Sequence, residues 1–256
     1  MKAKSILAAL LLLVAGLQTA WGQKMIVTLN DNSQVTYSIS QVREVTFVEA
    51  DEPVNDEHEY VDLGLPSGTL WATCNVGASK PEEYGDYFAW GETTPKSKYD
   101  DWSTYKWCNG DIDTMTKYCT RSDYGYNGFT DNLTELQPED DAATANWGSG
   151  WKMPSSDQIK ELCNSSYTTW EWMQLNGVYG RKVTSKSNGN SIFLPAAGYR
   201  WYDELLSAGR HGYYWSSSLR PDGDGYACDL SFNSGYWDWG GDYRYDGQSV
   251  RAVRVP

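Results

Sequence analysis

The chain has 256 residues, enough for one sizeable domain and a small appendage. Its formal net charge of −13 at pH 7 repels nucleic acid and anionic lipid, and no basic patch offsets it, so we expect no nucleic-acid partner. The 24 Gly, 13 Trp and 19 Tyr favour a loop-rich fold that is stabilised by aromatic packing.

Residues 1–22 have the pattern of a secretory signal peptide. Two early lysines precede an apolar run at residues 6–17, and Ala20 and Gly22 are the small residues of a cleavage site. The run is too short to span a bilayer, no Cys follows the cleavage site to carry a lipid, and no later stretch is long and apolar enough to cross. We therefore predict an exported protein without a transmembrane segment, located in the periplasm, at the cell surface or outside the cell.

A small β-rich segment is predicted at residues 23–50. The runs 25–29 and 35–39 are rich in strand-forming residues and flank an Asn/Asp turn, and a third such run follows at 45–48. This pattern is typical of a small hairpin unit of two or three strands. Residues 51–59 are acidic and contain a proline, so we interpret them as a solvated linker.

The main domain is predicted at residues 60–256, and its elements indicate an α+β class. A helix is expected over residues 155–163, where a Ser N-cap and Gln158 give a start signal, and a weaker one over residues 140–146. The strand-like runs are concentrated later in the chain, at 178–184, 191–194, 213–217, 227–232 and 249–255.

Five cysteines occur in this predicted export protein, where disulfides can persist. The number is odd, so at least one is free or pairs between chains. Cys108 and Cys119 are close enough in sequence to close a loop, but spacing leaves the pairing open. No Cys/His spacing suggests zinc, and the chain has only two histidines, so we expect no metal and no cofactor.

Residues 205–247 contain no Lys, Glu, Gln or Met, and between Asp222 and Asp246 there are six Asp and seven aromatic residues. Tyr and Trp give a large contact area at a small entropy cost, and short polar side chains give adaptable hydrogen bonds. This composition predicts a broad binding surface. Alternation over residues 227–232 predicts that Leu230 and Phe232 are buried and that Asp229 and Ser231 are exposed. The glycine-rich run 236–246 favours a displayed loop.

Several strings in the main domain form a recognisable series: VDLGLPSGTLWATCNVGA at 61–78, YGDYFAWGE at 84–92, WG at 147–148, WKMP at 151–154, NGNSIFLPAAGYR at 188–200, GYYWSSS at 212–218 and GQSVRAVR at 247–254. In these strings the chain resembles an exported domain of gut Bacteroidales that is related to the "Fibrobacter succinogenes major paralogous domain" group. The likeness covers about 195 residues. It implies a C-type-lectin-like fold.

The same fold occurs in the variable proteins of diversity-generating retroelements. There a reverse transcriptase rewrites adenines in a C-terminal cassette and turns AAC codons into NNC. NNC cannot encode Lys, Glu, Gln, Met or Trp, so the composition of residues 205–247 is what such a cassette predicts, with Trp215, Trp237 and Trp239 fixed. A fixed relative of the same fold is the alternative.

Carried over by this resemblance, the predicted ligand-binding residues are Tyr226, Asp229, Ser231, Tyr236, Trp237, Asp238, Trp239, Asp242, Tyr243, Tyr245 and Asp246, with Cys228 as a further diversified position. Aromatic rings beside carboxylates suit sugars and protein epitopes equally well. We therefore predict a binding protein for a protein or glycan ligand at a cell or host surface. The alternative is a structural or surface-assembly component of the cell envelope with no diversified site.

Other chemistries have weaker support. Residues 222–225 and 137–141 cluster oxygen ligands, but the usual calcium signatures of the lectin fold are absent, so solvated acidic turns are favoured. The formylglycine-generating enzymes of this fold need two neighbouring cysteines near the C-terminus, where only Cys228 lies. No spacing singles out a carboxylate pair for hydrolysis, so we predict no enzymatic activity. The following arginines are expected to be structural: Arg200, Arg210, Arg244, Arg251 and Arg254.

Overall fold

The computed structural model describes residues 24–28, 34–38 and 58–254, and the chain divides into two compact units, Met1–Ala50 and Asp51–Pro256. In the first unit, β1 (Lys24–Thr28) pairs with β2 (Gln34–Ser38) in an antiparallel hairpin, as the sequence predicts. The signal peptide, the third β-rich run and most of the linker lie outside the described residues.

The second unit contains both expected helices, α1 (Ala142–Trp147) and α2 (Ser156–Cys163). Asp141 begins α1, because its side chain accepts hydrogen bonds from the backbone N–H groups of Ala143 and Thr144. α2 begins with a capping box between Ser155 and Gln158. No helix in the described ranges is long and apolar enough to cross a membrane.

Apart from short 3-10 helices at Trp102–Thr104, Tyr126–Gly128 and Pro138–Asp140, the remaining regular structure described in this unit is β-sheet, which makes it a loop-rich α+β unit. Its strands are β3 (Tyr60–Asp62), β4 (Leu70–Ala72), β5 (Tyr87–Phe88), β6 (Thr168–Leu175), β7 (Val178–Ser185), β8 (Ser191–Pro195), β9 (Tyr199–Trp201), β10 (Glu204–Leu206), β11 (Gly212–Leu219), β12 (Tyr226–Phe232), β13 (Trp237–Tyr243), β14 (Gln248–Ser249) and β15 (Val253–Arg254). They form sheets in the orders β15-β4-β3, β6-β7-β8, β10-β9 and β13-β12-β11-β14-β5.

Two predictions about the strands need correction, and several strands were missed. The run 236–246 is not a displayed loop, because β13 pairs with β12 in continuous register from Tyr226↔Tyr243 to Phe232↔Trp237. Its alternation is weak because β13 is the outer strand, carries two glycines and is not fully buried on either face. The expected strand at 249–255 is split into β14 and β15. The long strand β6 and the short strands β3, β4, β5, β9 and β10 were not predicted from the sequence.

Two fully buried arginines tie the C-terminal segment to the rest of the unit. Arg251 donates to Asn75 Oδ1 and to the backbone carbonyls of Ala72, Thr73 and Phe193. Arg244 donates to Tyr105 Oη, to Met115 Sδ and to the carbonyls of Lys117, Tyr118 and Asp224. These arginines are structural, as expected, but they anchor mainly carbonyls, not carboxylates.

The expected solvated acidic turns are partly buried. Asp224 is 1% exposed, because its carboxylate accepts hydrogen bonds from the backbone N–H groups of Thr120 and Arg121 and so fastens one loop to another. Asp140 and Asp141 are also buried. All five cysteines are described, and none forms a disulfide.

Candidate recognition face

The pairing of β12 with β13 separates the predicted ligand-binding residues onto two opposite faces of the sheet. Directly paired residues of antiparallel strands project from the same face, and successive residues alternate. One side, which we call the acidic face, carries Asp229, Ser231, Asp238 and Asp242. The other side, which we call the aromatic face, carries Tyr226, Trp237, Trp239 and Tyr243. The predicted residues therefore do not form one continuous surface.

Asp229 on the acidic face is buried, contrary to the sequence expectation. It is 2% exposed, because β12 lies between β11 and β13 and the carboxylate leans over Gly240. A Cβ at Gly240 would lie 3.3 Å from Asp229 Oδ1. Ser231 is half-buried and Asp238 is exposed.

Asp229, Asp242 and Asp246 gather in a group that we call the carboxylate cluster. Gln248 Nε2 lies 3.4 Å from Asp229 Oδ2 and 3.2 Å from Asp242 Oδ2, and the Gln248 side chain is fully buried. None of the three carboxylates forms an ion pair with a Lys or Arg in the part of the chain that the structure describes.

Burial without a paired cation raises the pKa of the carboxyl groups in this cluster. Burial, and then repulsion from the Asp242 carboxylate, raises the pKa of both Asp229 and Asp246 to about 8. Burial also raises the pKa of Asp242, against an opposing effect from Arg220. At neutral pH the cluster therefore holds protons and can donate as well as accept hydrogen bonds.

Two tyrosines that sequence reasoning did not select border the carboxylate cluster. The rings of Tyr199 and Tyr213 lie 5.1 Å apart, and Tyr213 stacks 6.1 Å from His211. Burial, with Tyr236 and Asp242 nearby, raises the pKa of Tyr213 to about 12. Tyr213 of β11 pairs with Ser231 of β12 and therefore lies on the acidic face. The sequence does not show this pairing, so it could not indicate Tyr213 as a site residue.

The aromatic face carries a row of stacked tyrosines near one end. Tyr226 and Tyr243 stack with centroids 4.6 Å apart, and Tyr243 and Tyr245 stack at 5.3 Å. Trp102, from a distant loop, meets Tyr243 and Tyr245 edge-on. Tyr243 is 37% exposed, so the row reaches solvent.

The two tryptophans of β13 have different surroundings. Trp239 is 48% exposed and lies under the Lys160 ammonium of α2, with Nζ 4.7 Å from the ring centroid. Trp237 packs inward, stacked on Trp170 at 5.7 Å and on the Arg181 guanidinium at 4.9 Å. Trp237 is therefore chiefly an anchor for β13.

The turn before β13 presents Tyr236, which is 44% exposed. Asn233 Oδ1 accepts hydrogen bonds from the N–H groups of Gly235 and Tyr236, and Arg181 donates to the carbonyls of Asn233 and Tyr236. Tyr236 is thus displayed from a turn whose backbone is held in place.

Within the described ranges, no group of three or more His, Cys, Asp and Glu residues is arranged to hold a metal ion. Comparisons with protein-family models, with curated proteins and with solved structures found no match to this chain. The C-type-lectin-like fold and the family resemblance therefore stay predictions, and function must be argued from the geometry itself.

Proposed function

We propose that the protein is an exported ligand-binding protein that uses the β12–β13 hairpin to recognise a protein or glycan, on a C-type-lectin-like scaffold. The observation that carries this proposal is the distribution of exposed side chains. Of the ten large hydrophobic side chains exposed in the described part of the chain, six lie between residues 201 and 243, and three of these, Tyr236, Trp239 and Tyr243, belong to the β12–β13 hairpin. Exposed aromatic groups concentrated in this way are typical of interaction surfaces.

The support beneath the hairpin favours recognition over catalysis. Arg181 holds the turn before β13, Trp237 is packed inward, and Arg244 fastens the chain just after β13. Tyr236, Trp239 and Tyr243 therefore project from a fixed backbone, which limits the entropy lost when a ligand binds.

The burial pattern also supports a diversified cassette. The strings at 212–218 and 247–254, which frame it, contribute the inner strands β11 and β14 and the outer strand β15, and Trp215, Val250 and Arg251 are at most 1% exposed. The segment between them forms the inner strand β12 and the outer strand β13. Asp229, Cys228 and Asp246 are buried, so we expect less sequence variation at these positions than at Tyr236, at Tyr243 and at the residues on either side of Trp239.

Sequencing codons 200–256 across a growing population tests whether the cassette is diversified. Changes confined to adenines between residues 219 and 247 support diversification, and an invariant cassette contradicts it.

A binding screen tests the proposal itself. The mature chain is incubated with immobilised glycans and with surface proteins, and thermal unfolding is followed with each hit. We expect at least one ligand that binds saturably and raises the melting temperature, because a ligand that binds only the folded state stabilises it. A complete absence of saturable binding would contradict recognition as the function.

Assembly is the second candidate, and the open position of β13 favours it. β13 is the outer strand of its sheet, and an outer strand can pair with another chain. In that case Trp239 and Tyr243 become covered in an oligomer. Light scattering after size exclusion separates the two candidates: a monomer favours recognition, and an oligomer that Trp239→Ala dissociates favours assembly.

A further inference from the structure

A groove that contains none of the predicted ligand-binding residues lies between the β6–β7 hairpin and the turns at 209–211 and 233–235. It encloses about 490 Å³. Its larger side chains are Trp172, Tyr179, Arg210, His211 and Asn233, and the remaining lining is glycine and serine. Small residues on one side leave room for a ring-shaped group beside the aromatic side chains.

One wall of the groove is the outer end of a continuous stack. Trp237 stacks on Arg181, Arg181 lies 5.9 Å from the Trp172 ring, and Trp172 stacks on Tyr179 at 5.8 Å with an interplanar angle of 13°. The inner members are buried or half-buried, whereas Tyr179 is 45% exposed. The stack thus fixes an aromatic ring whose surface remains available to a ligand.

The groove is cationic in a strongly acidic protein. Arg210 lines it, and no Asp or Glu does. Among the described residues, the Arg210 side chain has no ion-pair or hydrogen-bond partner, unlike the anchored Arg244 and Arg251. An exposed guanidinium without a carboxylate is well suited to bind one, because its fork matches the two carboxylate oxygens.

The opposite wall is polar and fixed. Because Asn233 Oδ1 already accepts two backbone hydrogen bonds, its Nδ2 faces His211 Nε2, at 3.2 Å, and donates to it. His211 Nε2 accepts this hydrogen bond. Arg210 is the one Arg or Lys among the groove's lining residues, and no Asp or Glu lies beside it there.

We infer that this groove binds a pyranose sugar that carries a carboxylate. The sugar ring packs its C–H face on Tyr179, the Arg210 guanidinium pairs with the carboxylate, and Ser234 and the turn backbone meet ring hydroxyls. The absence of acidic lining favours an anionic sugar over a neutral or amino sugar. The groove shares the turn 233–235 with the β12–β13 hairpin but uses none of the hairpin's exposed aromatic residues, so the two proposals can be tested separately.

Calorimetric titration of the mature chain tests it with matched probes: trigalacturonate against its methyl ester, and 3′-sialyllactose against lactose. We expect at least one acidic member to bind about tenfold more tightly than its neutral partner, with an affinity that falls as salt is added. Arg210→Gln and Tyr179→Ala should each weaken that binding by about tenfold. The matched controls are Arg121→Gln and Tyr126→Ala, which change exposed residues outside the groove.

Several outcomes overturn the inference. They are no binding of either acidic sugar, equal affinity for acidic and neutral partners, or binding that survives both groove substitutions in folded protein. Binding lost in Trp239→Ala or Tyr243→Ala, and unchanged in Arg210→Gln, places the sugar on the hairpin instead. That last result overturns the groove site and still supports recognition by β12–β13, so the two proposals fail separately.

Discussion

Two groups of ionisable side chains in the second unit have opposite surroundings. Arg244 and Arg251 are enclosed by carbonyl and side-chain acceptors. Among the described residues, Gln248 is the only side-chain donor to Asp229 and Asp242, and Asp246 has none. A buried charge with a full set of partners holds a fold together, and a buried charge without them costs free energy. The arginines therefore belong to the scaffold, and the carboxylate cluster lowers stability as the pH rises and ionisation is favoured.

Removing a scaffold charge should have the largest effect. Arg244→Met strips partners from several buried carbonyls at once, so we expect a loss of about 4 kcal/mol in the free energy of unfolding. Urea unfolding of residues 23–256 measures it, with exposed Arg121→Met as the control that should leave the transition unchanged. A midpoint for Arg244→Met close to that of the wild type would show that Arg244 is not an anchor.

The carboxylate cluster should make stability depend on pH. The pKa of Asp229 and of Asp246 is raised to about 8 in the folded protein, so the folded state holds protons that the unfolded chain releases above about pH 4. Stability is then full below that pH and falls as the pH rises toward 8, by up to about 1.4 kcal/mol per pH unit for each carboxyl. Unfolding curves at pH 5 and pH 8.5 test this, and equal midpoints would contradict it.

Replacing one aspartate of the carboxylate cluster with asparagine should raise the free energy of unfolding, whereas Arg244→Met should lower it. Asp229→Asn and Asp246→Asn keep the shape and remove the charge, so each should stabilise the protein by up to about 5 kcal/mol at pH 8.5 and by up to about 1.5 kcal/mol at pH 5. Asp238→Asn is the matched control, because Asp238 is exposed on the same face. Destabilisation at pH 8.5 would mean that the ionised carboxylates have donors that the structure lacks.

The exposed aromatic residues should contribute least to stability. Trp239→Ala and Tyr243→Ala remove side chains that are 48% and 37% exposed, so we expect losses below about 1 kcal/mol. Trp237→Ala should cost more, about 3 kcal/mol, because Trp237 is packed between Trp170 and Arg181. Thermal unfolding of the three variants checks the order, and equal losses would show that Trp239 is an anchor too.

Local signals in the sequence predicted much of the fold. The capping residues around Ser155 placed α2, and alternation placed β12 with Leu230 and Phe232 buried. The segregation of acidic from aromatic residues depends on the register of β13 against β12, and the weak alternation in β13 hid it. The burial of Asp229 depends on neighbouring strands, and the groove is assembled from three segments that are distant in sequence. Such features arise from long-range pairing, which no local pattern encodes.

The central claim, that the β12–β13 hairpin binds the ligand, is tested most directly by one affinity measurement. A ligand found by screening is titrated into wild-type residues 23–256, the double variant Trp239→Ala/Tyr243→Ala, and Tyr126→Ala as a control of similar exposure. We predict that the double variant stays folded and binds the ligand at least about tenfold more weakly than the wild type, and that the control binds it as tightly as the wild type. Equal affinity in all three proteins would contradict recognition by this hairpin.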